Sequence, residues 1–385
     1  MTAAPTEPRD LIEDRALIGN MLTAALVHRN GAIDWLCLPR FDSPAAFAAL
    51  LGTDDHGSWH IGPAEASPRP ADRRRYASDS LILEQEWDTP GGTVRVTNAM
   101  PTAESTEADP VPRIVRVVEG LAGTVTVRST LRPRFGYGRF APRVHRVEQP
   151  DSAHHSGIAH RLAAVAGPDA LWLDGPHHSD ADGTLTAEVT VRAGERIAFV
   201  LTYDQSHRPA PPRVDPDREL ERTTQFWHEW AGQCTYQGPY REAVIRSLIT
   251  LKGLTYAPTG GIVAAPTTSL PEDIGGERNW DYRYTWLRDA AITLSSLLRT
   301  GYRDEAKAWR EWLLRAVAGD PENLQIMYGI AGERELTESS LDWLPGYEGS
   351  QPVRVGNGAA GQLQLDVYGE VVEALHLAHM TGLVR

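Results

Sequence analysis

Ser206-His207-Arg208-Pro209-Ala210-Pro211-Pro212-Arg213-Val214-Asp215-Pro216-Asp217 separates two kinds of sequence pattern. Proline lacks the backbone N–H and fixes φ, so a stretch this rich in it carries neither a strand ladder nor a helix interior. It reads as a stiff linker. On its N-terminal side, from about Ala16 to Tyr203, short apolar runs alternate with turn residues. Residues 24–35 read as a hairpin across Asn30-Gly31. Residues 81–87 and 93–97 flank Pro90-Gly91-Gly92 as a second hairpin, and 114–118 and 125–131 flank Gly120 and Gly123 as a third. Runs at 171–173, 185–191 and 197–203 follow. Many short strands at regular spacing predict a β-sandwich over residues 16–205, after a tail at 1–15.

On the C-terminal side the period changes. Helices are predicted at 218–232, carrying Phe226, Trp227 and Trp230, and at 241–256, with Val244, Leu248, Leu251 and Leu254 before Pro258. Three more are predicted at 287–300, closed by Gly301, at 304–318, closed by Gly319, and at 359–380, with Leu363, Val367, Val371 and Leu375. Residues 206–235 form the linker and a linker helix, and 236–385 a helical domain. The stretches 260–286 and 319–358 are too long for simple connections, and loops of that length carry function.

The chain has 385 residues, 41% of them hydrophobic and 23% charged, enough for two sizeable cores. Cys37 and Cys234 are the only cysteines and have no ligand spacing, which excludes a disulfide scaffold. The longest apolar runs are short, so no membrane span is predicted. The first fifteen residues lack a basic start and an apolar stretch, which points away from a secretory signal and towards a cytoplasmic, bacterial setting. A formal net charge of −13 argues against a nucleic-acid partner. Arg73-Arg74-Arg75 reads as a solvated turn. His154-His155 and His177-His178 read as loop surface rather than metal ligands. No metal and no organic cofactor are implied.

Two constellations carry chemistry. Arg278-Asn279-Trp280-Asp281-Tyr282-Arg283-Tyr284-Thr285-Trp286-Leu287-Arg288-Asp289 combines aromatic rings with arginines and carboxylates, ending on a helix start. Aromatic faces stack on the C–H face of a pyranose, while Asp and Arg hydrogen-bond its hydroxyls. The same pattern also suits a structural aromatic cluster with Asp289 complementing a helix N-terminus. The second is Gly361-Gln362-Leu363-Gln364-Leu365-Asp366-Val367-Tyr368-Gly369-Glu370. Gln362, Asp366 and Glu370 stand at i, i+4 and i+8, one polar column on a helix. A carboxylate beside Leu363, Val367, Ala374 and Leu377 is raised in pKa if buried, as a general acid requires. Its alternative is a solvated helix-surface glutamate. Ser247, Ser269 and Ser350 lie in no nucleophile elbow, and Glu272, Glu333, Glu335 and Glu338 read as solvated loop residues.

At these two motifs the sequence resembles glycoside hydrolase family 15, the glucoamylases, glucodextranases and bacterial trehalase-like members. Leu17-Ile18-Gly19-Asn20, Gly31-Ala32-Ile33-Asp34-Trp35-Leu36-Cys37-Leu38-Pro39-Arg40-Phe41-Asp42-Ser43-Pro44 and Leu131-Arg132-Pro133-Arg134-Phe135 resemble the N-terminal domain of the bacterial branch. Ala264-Ala265-Pro266-Thr267-Thr268-Ser269-Leu270-Pro271-Glu272 and Pro352-Val353-Arg354-Val355-Gly356-Asn357 resemble its barrel loops. The resemblance implies a β-sandwich followed by an (α/α)6 barrel, here in part, and inverting exo-hydrolysis of α-glucosidic bonds in an oligo- or disaccharide. It implies that Tyr282, Trp286, Arg288 and Asp289 hold the non-reducing glucose, with Trp280 and Asp366 as further substrate contacts, and that Glu370 is the acid. Gly369 stands where fungal members carry the first of two glutamates.

The resemblance also implies that the C-terminal half of the barrel, with the water-activating base, is missing from these residues. Weak hydrolysis and an exposed Leu363/Val367/Val371 face follow as expectations. Two other readings are a sugar phosphorylase on the same architecture, which needs one carboxylic acid, and a sugar-binding remnant without catalysis.

Overall fold

The computed structural model describes residues 11–102, 110–147, 161–318 and 323–383. The first ten residues, His154-His155 and Gly319 lie outside them. The strands are β1 (Arg15–Gly19), β2 (Ala24–His28), β3 (Ala32–Cys37), β4 (Ala45–Phe47), β5 (Ser58–Pro63), β6 (Arg73–Tyr76), β7 (Leu83–Thr89) and β8 (Gly92–Ala99). Next come β9 (Arg113–Arg132), β10 (Arg143–Arg146), β11 (Arg161–Ala166), β12 (Asp169–Asp174), β13 (His178–Ser179), β14 (Leu185–Arg192) and β15 (Arg196–Gln205).

The first two predicted hairpins form, as β2–β3 and β7–β8. Gly31 turns the first with φ +92°, and a Cβ there would sit 2.1 Å from the Ile61 carbonyl oxygen. The third does not form. Residues 113–132 run as one strand, β9. Its first half pairs with β8 and β15, its second half with β5 and β14. The glycines read as a turn serve close approach instead, since a Cβ on Gly120 would stand 2.2 Å from the Arg192 carbonyl oxygen.

Strand β9 therefore belongs to both sheets. One layer contains β1, β2, β3, β5 and β14, the other β7, β8, β15, β12 and β11. Ile33, Trp59 and Ile61 of the first layer and Trp87, Val96, Leu171 and Phe199 of the second share one core. Arg73-Arg74-Arg75 is not a turn but strand β6, with Arg73 and Arg75 ion-paired to Glu86 of β7. His177 is buried rather than on the surface, and its Nε2 lies 2.8 Å from Ser129 Oγ. His178 is exposed, as a loop histidine would be.

The linker ends on a capped helix. Asp215 accepts from the backbone N–H groups of Asp217 and Arg218, and Pro216 opens α1 (Pro216–Gly232). Then come α2 (Arg241–Gly253), α3 (Leu287–Arg299), α4 (Arg303–Ala316) and α5 (Asp366–Met380). Two expected boundaries move. Helix α2 stops at Gly253, because Thr255–Tyr256 pairs with Gly261–Ile262 as a small hairpin. Helix α5 starts at Asp366 rather than at 359, so Gln362 lies outside it and the predicted polar column reduces to Asp366 and Glu370.

Small residues Ala290 and Ala291 of α3 let α5 approach with Val367 and Ala374, while Trp309 and Leu313 of α4 close the same core. Arg288 at the start of α3 reaches Asp366 at the start of α5. Arg303 at the start of α4 reaches the Thr381 carbonyl at the end of α5. Helices α3 and α5 thus begin at one end, and α4 runs back. Elsewhere, Trp230 Nε1 of α1 donates to Glu305 Oε1 of α4 at 2.6 Å, and Lys252 Nζ of α2 stands 3.0 Å from the same oxygen.

The long loops of the helical half rest on the sandwich. Leu341, Leu344, Tyr347 and Val353 pack with Trp35 and Cys37. Trp35 Nε1 donates to the Pro266 carbonyl at 2.8 Å. Glu333 is not merely solvated, since Arg40 of the sandwich holds it at 2.8 Å. Among the described residues no helix is long and apolar enough to cross a membrane.

Candidate active site

Two short antiparallel strand pairs present the aromatic motif. β18 (Thr268–Pro271) pairs with β19 (Asn279–Asp281), and β20 (Thr285–Trp286) pairs with β21 (Met327–Tyr328); β16 (Thr255–Tyr256) and β17 (Gly261–Ile262) form the small hairpin already described. Later in the chain β22 (Ser339–Ser340) pairs with β23 (Arg354–Val355). Ser269, buried at φ +57°, accepts from Arg354 N at 2.7 Å and donates to Arg354 O at 2.9 Å. Its hydroxyl is spent on tying β18 to β23 rather than presented as a nucleophile. Ser350 likewise accepts from Gly275 N.

Trp286 caps α3 from the extended region and is 8% exposed. Tyr282 packs against it with ring centroids 5.3 Å apart, tilted by 41°. Arg288 and Asp289 follow on the first turn of α3, each nearly half exposed. Arg288 Nη2 lies 3.5 Å from Asp289 Oδ2, and Nη1 lies 3.4 Å from Asp366 Oδ2. An arginine therefore bridges two carboxylates at the matching ends of α3 and α5, where helix N-termini also favour negative charge. Asp289 Oδ2 is shielded from solvent yet accepts no hydrogen bond. Glu370 is half-buried. It stands one turn along α5 from Asp366 on the same side, at the edge of the face that buries Val367, Ala374 and Ala378.

The structure thus brings Tyr282, Trp286, Arg288, Asp289 and Asp366 together, with Glu370 one turn away. Trp280 engages elsewhere in the described contacts, with the Arg354 guanidinium 4.5 Å over its ring. Reading the sequence missed two neighbours. Burial, the carboxylate of Glu272, which accepts a hydrogen bond from Tyr282, and the charge of Asp289 together raise the Tyr282 phenol. Arg354 is held by Glu338 at 3.3 Å. Glu272 reads from the sequence as a solvated loop residue; recognising 268–271 and 279–281 as paired arms would have brought it to Tyr282. Among the described residues no group of three His, Cys, Asp or Glu side chains could hold a metal ion.

Residues 238–385 match the glycosyl hydrolases family 15, and residues 6–223 match the trehalase-like N-terminal family. The chain belongs to the family 15 glycosyl hydrolases with a trehalase-like N-terminal region. A trehalase of Thermoplasma acidophilum is 34% identical over 93% of this chain and 59% of its own length. A trehalase of Mycolicibacterium smegmatis is 35% identical over 97% of this chain and 58% of its own. This family 15 chain therefore spans somewhat over half the length of these curated relatives. A solved structure named for a kojibiose phosphorylase of the human microbiome superposes with a TM-score of 0.42 at 9% identity, over 82% of this chain and 49% of that one, too loosely to bear on the chemistry.

Proposed function

We propose that the cluster at the common end of α3 and α5 holds the terminal glucosyl unit of an α-glucoside disaccharide, trehalose above all. The observation that carries this reading is Asp289 Oδ2, a desolvated acceptor without a donor, beside a tilted aromatic pair and an arginine. The oxygen has an ion-pair partner in Arg288 at 3.5 Å but accepts no hydrogen bond, and a sugar hydroxyl donating to it would supply one. Tyr282 and Trp286 offer ring faces to the C–H surface of the sugar. Arg288 donates to ring hydroxyls from a position fixed by Asp289 and Asp366. Trp280, with Arg354 on one face, serves as an outer contact. The names of the two relatives favour trehalose over longer glucans.

In this proposal Glu370 donates its proton to the glycosidic oxygen as the bond to the anomeric carbon breaks. Water adds from the opposite face, giving the inverted anomer. That step also needs a base carboxylate about 6.5–9.5 Å from the acid. Such a base assists the attack of water by about 10²–10⁴-fold. The parallel α3 and α5 with α4 running back suit successive hairpins of an (α/α)6 barrel, within a division at 16–205, 206–235 and 236–385.

Product analysis on trehalose, maltose and isomaltose, with and without inorganic phosphate, tests this. The expected result is release from trehalose of one β-glucose, from the attacked unit, for each α-glucose, the departing unit, abolished in Glu370→Gln. Glucose 1-phosphate as product would establish the phosphorylase instead. Undiminished cleavage in Glu370→Gln would remove that residue from the mechanism.

A further inference from the structure

The residues on either side of Tyr282 are the most deeply buried ion pair of the helical half. Asp281 and Arg283 are both sealed from solvent. Arg283 Nε donates to Asp281 Oδ1 at 2.9 Å and Nη2 to Oδ2 at 2.6 Å, a bidentate pair. Its backbone N–H donates to the same carboxylate at 3.1 Å. The remaining nitrogen, Nη1, crosses into the sandwich. There it donates to the Ser43 carbonyl at 2.9 Å and lies 3.4 Å from Cys37 Sγ at the end of β3. The guanidinium also lies 5.5 Å from the Tyr137 ring centroid. Asp281 in turn accepts from Gly356 N at 3.2 Å, and its carbonyl accepts from Asn357 Nδ2 at 3.0 Å.

All three nitrogens of the Arg283 guanidinium are thus engaged, Nε and Nη2 on its own loop and Nη1 on the sandwich. Tyr282 is caught between two locked residues, and its own carbonyl accepts from Ala265 N at 2.9 Å. A buried charge with fixed partners on two bodies is a joint, because loosening either side leaves ionic groups unpaired in a dry interior. The sandwich reaches the sugar cluster here without touching it.

We propose that Arg283 is a positioning residue: together with Asp281 it anchors the loop bearing Tyr282 and Trp286 to the end of β3, so that the sandwich sets the aromatic floor of the pocket. The consequence for sugar binding rests on the reading of that pocket given above. The anchoring itself does not.

Two gentle variants of the full chain test it, Arg283→Lys, which keeps a cation but cannot fork to both bodies, and Asp281→Asn, which keeps the shape and removes the charge. Arg283→Met is the severe variant, to be read only if it folds. Hydrogen exchange is followed in 279–289, in 37–44 and in α4 as a control, beside thermal unfolding and trehalose titration by tryptophan fluorescence. The expected result is faster exchange in both 279–289 and 37–44, unchanged exchange in α4, and trehalose binding weakened by about tenfold or more, as misplaced positioning groups produce. Arg283→Lys should retain more affinity than Asp281→Asn, since it keeps an oppositely charged pair, whereas Asp281→Asn leaves Arg283 a buried cation without its carboxylate. Faster exchange in a protein whose wild type binds no trehalose would uphold the joint and refute the pocket. Wild-type exchange in 279–289 in both gentle variants, or loosening spread equally over α4, would overturn the proposal.

Discussion

Within the twelve-residue aromatic motif, neighbouring residues do opposite jobs. Asp281 and Arg283 are sealed into the joint with the sandwich, while Tyr282, Trp286, Arg288 and Asp289 gather at the end of α3. The structural and the sugar-binding readings of that motif were both open from residue types alone; the structural one describes Asp281 and Arg283, and the sugar-binding one is the proposal for the others. Spacing could not divide them, because which side chains face the sandwich depends on contacts more than two hundred residues away in sequence, such as Arg283 with Ser43. His177 shows the same limit. A His-His pair beside Gly and Asp reads as surface, yet β9 supplies Ser129 as a partner and the core closes over the ring. Burial pushes His177 down from 6.5 to about 3, with the neighbouring His178 adding to it. The unfolded chain takes up this proton below about pH 6.5, and the folded one does so only near 3. Stability is therefore full above that range and lost as pH falls through it, by about 1.4 kcal/mol per pH unit at full slope for this one ring. Denaturant unfolding of wild type and His177→Gln between pH 7 and pH 4 checks this. The variant should lose less stability on acidification, and equal slopes would contradict the assignment.

Among the elements, strands and helices with strong patterns were legible and their joins were not. The hairpins at Asn30-Gly31 and Pro90-Gly91-Gly92 formed because local turn chemistry decides them. Gly120 and Gly123 carried the same local signal, but β9 has strand partners on both sides along its whole length, and continuous pairing outweighs a turn. Helix α5 was extended too far because residues 359–365 continue its apolar spacing, whereas Gln325 and Asn357 claim that backbone for the loop. This changes which apolar residues face solvent. Leu363 is exposed as expected, whereas Val367 is buried against α3 and Val371 is partly covered. Leu365 at 79% exposure and Val372 at 66%, with Tyr368 between them, form the open face of α5. An apolar stripe of this kind drives association. Sedimentation at rising concentration should show self-association of the wild type and a monomer for Val372→Glu, with trehalose affinity unchanged to within about twofold. A monomeric wild type across that range would show the stripe to be inert.

At the scale of the whole chain, β15 ends at Gln205 and the first α-helix opens at Pro216, and belonging to family 15 is carried by matches over residues 6–223 and 238–385. What the pattern could not show is how far the halves interlock. Trp35, Arg40 and Cys37 of the sandwich are all committed to loops of the helical part. The proposed sugar site is a product of that assembly: α3 brings Arg288 and Asp289, α5 brings Asp366 and Glu370, and a loop braced on the sandwich brings Tyr282. In the proposed function these groups grip a terminal glucosyl unit, one of whose hydroxyls donates to Asp289 Oδ2. Isothermal titration of trehalose into wild type, Asp289→Ala and Glu370→Gln tests this most directly. Saturable binding in wild type and Glu370→Gln, weakened about tenfold or more in Asp289→Ala, is the predicted result, since a lost hydrogen bond to a charged group is worth about 1.5–3 kcal/mol. Equal affinity in wild type and Asp289→Ala, or no binding by the wild type, would contradict it.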